Sequence, residues 1–234
     1  MMIKKHIPNA ITSLNLLSGS VAAMMAYQGN YQAVVLFMLL SAIFDFLDGF
    51  SARLLKAYSP IGKELDSLAD MISFGLTPAM LAFSLLQNSE WEWAAWFGLL
   101  IAVFSALRLA KFNIDERQTT SFIGLATPAN AIFWGGLAFS YGHLSGLPNY
   151  PWLILIFIAV SCFLLVCETP MFSLKFKNFS WLDNKMRYIF LMGALILLFA
   201  LRLNALSIII VWYVQLAFID ALFPRKKTIQ TPKL

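Results

Sequence analysis

Histidine and cysteine are scarce, two of each in 234 residues. Cys162 and Cys167 fall within one apolar run and read as small buried apolar residues. His6 and His143 fall on opposite sides of the membrane reading given below, and no Cys/His spacing of the metal-binding kind exists. Charge is equally thin: 12% of residues are charged against 60% hydrophobic, which excludes an ordinary soluble domain and any long polar linker. No internal repeat of the kind found in inverted-repeat transporters stands out.

What fills the chain instead is a series of apolar runs. A helix needs roughly 20 apolar residues to cross a bilayer, and eight such runs are expected, at about 8–28, 32–55, 64–87, 92–112, 126–143, 151–168, 186–203 and 204–222. The fold class predicted is therefore all-α, a polytopic membrane bundle forming one domain over residues 1–234. The start "MMIKKHIPNAITSLNLLSGS" is basic, but Pro8, Asn9 and Asn15 interrupt it, so a retained first helix is expected rather than a cleaved signal. Counting alternate connections puts all 17 basic residues except Arg202 on the same side as the N-terminus. By the positive-inside rule both termini are then cytoplasmic. The net charge of +5 follows from that topology, with attraction to anionic lipid as a secondary gain and no need for nucleic acid.

Against this background the stretch "DFLDGFSAR", Asp45 to Arg53, is anomalous, because it carries two acids on from an uncharged run. With the helix leaving the bilayer near Arg53 to Lys56, Asp45 lies roughly 12 Å inside by helical rise. An ionisable group at such depth costs about 2.5–3.5 kcal/mol and normally faces a cavity or a partner. The third run repeats the pattern in "GKELDSLAD", with Asp66 and Asp70. Spacings of i,i+3 and i,i+4 put each pair on one helical face. The short connection "KAYSPIG" makes the two helices antiparallel neighbours, so four carboxylates converge at the cytoplasmic side. One or two Mg²⁺ or Mn²⁺ ions would relieve their repulsion, with phosphate oxygens completing an all-oxygen shell. Gly49, Ala52 and Gly62 keep this face small, either for close helix packing or to admit a bulky ligand. Arg53 is either an interfacial anchor or a phosphate clamp.

The run from Asp45 to Asp70 resembles the signature of the CDP-alcohol phosphotransferase family, D-x2-D-G-x2-A-R-x8-G-x3-D-x3-D, with Asp45, Asp48, Gly49, Ala52, Arg53, Gly62, Asp66 and Asp70 all in place. Within that family, "IPNAITSLNLLSG", "DSLADMISFGLTPA", "ALRLAKFN", "GLATPANA" and "PMFSLKFK" are similar to the phosphatidylserine synthase branch. Ala126 departs from the proline more usual there, at a helix start remote from the chemistry. The resemblance implies transfer of a phosphatidyl group from CDP-diacylglycerol to L-serine with release of CMP. It implies metal ligation by Asp45, Asp48, Asp66 and Asp70, with Asp70 as general base. It further implies nucleotide contacts from Asp48, Gly49, Ala52, Arg53 and Gly62, and a homodimer; the compact single-domain chain without targeting signals points to a prokaryotic cytoplasmic membrane. Arg108 and Lys111 are candidates for the serine carboxylate, with Asn113 and Asn15 beside them; plain interfacial anchoring is the other reading of the two cations. Lys175 and Lys177, alternating with Phe172, Phe176 and Phe179, are expected at the headgroup level. Other acceptors within the family (inositol phosphate, glycerol phosphate, choline) stay open. A cation transporter is the rival from another class, weakened by the absence of a second set of acids deeper in the membrane.

Overall fold

The structure, a computed structural model, describes residues 3–115, 122–143, 150–174 and 180–222. Lys175, Lys177, Phe176, Phe179, Arg117 and the C-terminal basic residues lie outside the described residues. Helix α1 spans Ile3–Tyr27 and α2 spans Tyr31–Leu54. Helix α3, Pro60–Asp70, runs through a π-helical segment, Met71–Leu76, into α4, Thr77–Gln87. A 3₁₀ segment, Glu92–Leu99, leads into α5, Leu100–Ile114. Helices α6, Thr127–His143, and α7, Pro151–Val166, follow; α8, Trp181–Leu201, and α9, Leu206–Leu222, are joined by a 3₁₀ turn at Arg202–Ala205.

The chain is a polytopic helical membrane protein. Five helical stretches among the described residues are long and apolar enough to cross a bilayer: His6–Tyr27, Tyr31–Leu54, Pro60–Gln87, Glu92–Ile114 and Asn184–Leu222. Their outer surface is apolar as well, with Phe46 64%, Leu54 69%, Val103 53% and Phe199 94% exposed, a pattern that suits lipid and not water. Trp91, Trp93, Tyr150 and Trp152 gather at the end of the bundle remote from the acids, the place of an interfacial aromatic belt.

Local chemistry explains the breaks. Asn30 caps α2 by accepting from the Ala33 amide at 3.2 Å. Ser59 caps α3 by accepting from the Gly62 amide at 3.0 Å, and Pro60 takes the first helical position, where no amide is needed. Pro78 has no N–H to return to the preceding turn. Just before it, the Thr77 amide reaches Ile72, five residues back, and widens the helix into its π segment. The third apolar run is thus a helix that starts earlier than expected and changes pitch directly after Asp70.

Helix α1 lies against α2, α3, the π segment and α4, and α6 bridges α2 and α9. The main core between them includes Val34, Phe74, Leu81, Leu85 and Trp134, all at most 2% exposed. Gly19 makes the α1 crossing possible: a Cβ there would stand 2.6 Å from the Ser73 Cα. One non-helical feature was not expected, a two-residue antiparallel ladder pairing Phe122 with Met171 and Ile123 with Pro170. Phe172, expected at the headgroups, turns inward instead, its ring 5.0 Å from that of Tyr213.

Candidate active site

Asp45, Asp48, Gly49 and Ala52 recur at helical spacing along one face of α2, and Gly62, Asp66 and Asp70 do so along α3. Helix α1 packs against both α2 and α3, and carboxylate oxygens of Asp45, Asp48 and Asp66 meet within 4.8 Å of one another. Asp48 Oδ2 and Asp66 Oδ1 are buried and have no hydrogen-bond partner. Three acids so close, with two bare oxygens in a partly desolvated site, are the donor set for a hard divalent cation, and these residues fit one.

Asp70 is the fourth acid, close enough to Asp45 and Asp66 to interact with both. Its Oδ1 accepts from Asn15 Nδ2 at 3.5 Å, and Asn15 is itself held by Ser73, whose hydroxyl donates to Asn15 Oδ1 at 2.7 Å. Ser41 donates to the Asn15 carbonyl at 3.3 Å, so three elements converge on this amide. Asn15 is fully buried. It therefore orients Asp70, and the acceptor contact expected of it is not what the geometry offers.

A cleft of about 220 Å³ opens beside the acids. Its walls are Asp48, Gly49 and Ala52 from α2, Gly62, Lys63 and Asp66 from α3, and Pro8, Asn9 and Thr12 from α1. The two glycines, alike in sequence, differ in role. A Cβ on Gly49 would meet only Arg53 Nη2, 4.0 Å away, so the backbone here is bare to the cleft. A Cβ on Gly62 would come within 2.9 Å of Asn9 Oδ1 and Ser59 Oγ, side-chain ends that would have to shift, so the backbone here is covered by neighbouring side chains. Arg53 does not line the cleft; it is exposed and its Nε donates to the carbonyl of Gly49 at 2.9 Å. The cation on the cleft wall is Lys63, which sequence reasoning counted only as a topological charge.

A second cavity, about 320 Å³, lies between the ends of α5 and α7. Arg108 and Lys111 line it, and so do Asp115 and Glu168. Arg108 is only 7% exposed, its guanidinium 5.1 Å from the centroid of the Phe112 ring and near enough to Asp70 for their charges to interact. Asn113 is elsewhere: its Nδ2 donates to Ser67 Oγ at 2.9 Å and ties α5 to α3. Of the four residues expected to receive serine, Arg108 and Lys111 share a cavity, Asn113 ties α5 to α3, and Asn15 sits on α1 against Asp70 and Ser73.

The model of the CDP-alcohol phosphatidyltransferase family matches residues 5–141, which include every acid of the cluster. The chain belongs to this family. Its relatives carry one activity repeatedly. A CDP-diacylglycerol–serine O-phosphatidyltransferase of Bacillus subtilis (strain 168) is 36% identical over 139 residues, 59% of this chain and 78% of that protein. One of Helicobacter pylori is 33% identical over 229 residues, 95% of this chain and 93% of its own length. An archaetidylserine synthase of Methanothermobacter thermautotrophicus is 33% identical over 157 residues, covering 66% of this chain and 65% of that enzyme. The long match to the Helicobacter pylori enzyme extends the likeness beyond the family model into α7, α8 and α9.

Proposed function

We propose that this protein transfers the phosphatidyl group of CDP-diacylglycerol to the hydroxyl of L-serine and releases CMP. The observation that carries this reading is the meeting of Asp45, Asp48 and Asp66 within 4.8 Å beside an open cleft, in a chain of this family.

The three acids would hold one or two Mg²⁺ or Mn²⁺ ions, which when bound neutralise pyrophosphate charge and polarise the phosphorus. Asp70 has one oxygen engaged by Asn15 and offers the other as general base. It takes the serine Oγ proton as that oxygen forms its bond to the lipid-side phosphorus. The bond from phosphorus to the CMP oxygen breaks, and its electron pair leaves with CMP. The bare backbone at Gly49 and the small Ala52 admit the nucleotide. Lys63 and Arg53 are the cations within reach of its phosphates, Arg53 only after releasing the Gly49 carbonyl. Arg108 and Lys111 receive the serine carboxylate near Asp70.

The same reading makes residues 1–234 one catalytic unit of eight spans, with both termini and the acids facing the cytoplasm. A prokaryotic cytoplasmic membrane and a homodimer complete it.

The test is CMP release by purified protein in detergent with CDP-diacylglycerol and Mn²⁺, with serine, inositol phosphate, glycerol phosphate or choline supplied separately. Release that depends on serine supports the reading. Release with another acceptor keeps the chemistry and overturns serine; no release with any acceptor overturns the transferase.

A further inference from the structure

The second cavity contains more than a carboxylate receptor. Arg108 is more than nine-tenths buried, lines the cavity and makes no hydrogen bond to any described residue. A buried guanidinium without an acceptor is costly to maintain unless a ligand supplies one. The same cavity is also lined by acids: Asp115 at the end of α5 and Glu168 just past α7. Among the described residues, the lining thus carries two formal positive charges, Arg108 and Lys111, and two formal negative ones. A phosphorylated alcohol, carrying about two negative charges, would meet two carboxylates here. A zwitterion would meet a partner at each end.

Glu168 is also held in place. The Cys167 amide donates to the Phe163 carbonyl at 2.9 Å, and the Gly124 amide donates to the Thr169 carbonyl at 3.0 Å. Gly124 adopts φ +72°, and any Cβ on it would lie 2.8 Å from the Cys167 carbonyl oxygen. The ladder at Ile123 and Pro170 closes the same segment from the other side. Residue 168 therefore sits on a backbone pinned before and after it, which fixes the place on the wall from which its exposed side chain extends.

We infer that Glu168 binds the ammonium group of the acceptor while Arg108 binds its carboxylate, so that this cavity selects a hydroxy amino acid over an anionic or phosphorylated alcohol. The inference rests on the serine-transferase reading and adds to it the group that recognises the amine. Glu168 touches the acceptor remote from the reacting hydroxyl, so it governs specificity and leaves the proton transfer at Asp70 alone.

The experiment compares serine with 3-hydroxypropionate, which keeps hydroxyl and carboxylate but lacks the ammonium group, in wild type and in Glu168→Gln. CMP release is measured against acceptor and lipid concentration. In wild type, kcat/KM for serine exceeds that for 3-hydroxypropionate by about tenfold or more, the scale of a hydrogen bond to a charged group. In Glu168→Gln that ratio collapses toward one, through a higher KM for serine, with kcat and the lipid KM unchanged. Glu168→Asp restores part of the ratio. Serine turnover with the ratio unaltered in Glu168→Gln would overturn the assignment of Glu168 alone. Wild-type protein that releases no CMP with serine would overturn the transferase reading and this inference with it.

Discussion

Around Asp48 and Asp66, acids crowd together and two of their buried oxygens have no partner. Around Arg108, a buried cation shares its cavity with a second cation and two acids. The first region is unbalanced and calls for a multivalent cation; the second is balanced and calls for a ligand with both signs of charge. Asp70 lies between them, near Asp45 and Asp66 on one side and Arg108 on the other. A group poised between a phosphate-binding region and an acceptor-binding region is where a proton must be taken when the two substrates react.

Breaking that junction should have the largest effect. Asp70→Asn is expected to lower kcat by about 10²–10⁴-fold, while CDP-diacylglycerol still binds in an equilibrium assay; substantial turnover in the variant would remove Asp70 as base. Next comes the balanced region by itself. Arg108→Ala should raise the serine KM by about 10–100-fold, as expected for a lost charged hydrogen bond, with little change in the lipid KM. Equal rises in both constants would show that Arg108 serves the fold and not the acceptor.

Two smaller changes sharpen the contrast between chemistry and scaffold. Gly19→Ala forces a methyl group against Ser73, whose Oγ and Cα lie 2.0 and 2.6 Å from the new Cβ. Overpacking of this kind costs about 1–3 kcal/mol, so the detergent-solubilised variant should unfold at lower temperature; an unaltered Tm would mean that α1 shifts freely. Asn113→Ala removes one hydrogen bond between α5 and α3. A loss of about 0.5–1.5 kcal/mol in stability is expected, without the selective rise in serine KM that marks Arg108. A selective rise would return Asn113 to the acceptor site.

The division between what could be read in advance and what could not follows from the range of the interactions. The apolar runs and the i,i+3 and i,i+4 acids are local patterns, and α2 and α3 place those acids as the spacing requires. The π segment after Asp70 was also locally written, in the missing donor of Pro78, but its consequence depends on Thr77 and Gly19 meeting across helices at 3.1 Å. Asn15 bracing Asp70 is a contact across 55 residues, and a polar residue in an apolar run says only that some partner exists. Glu168 was visible as an acid at a helix end, yet only the packing of α7 beside α5 puts it in one cavity with Arg108. Arg53 fits the family signature while its side chain turns back on its own helix, because the Gly49 carbonyl one turn earlier is within reach. Gly49 and Gly62 show the same limit: one residue type, bare to the cleft in one place and covered by the side chains of Asn9 and Ser59 in the other.

The account stands most directly on the acids holding a metal ion. Mn²⁺ binding to the purified protein, followed by electron paramagnetic resonance without lipid substrate, should show a site weakened at least about tenfold in Asp48→Asn and in Asp66→Asn, and unchanged in Arg108→Ala. Wild-type and acid-variant proteins that bind Mn²⁺ equally, or bind none, would contradict it.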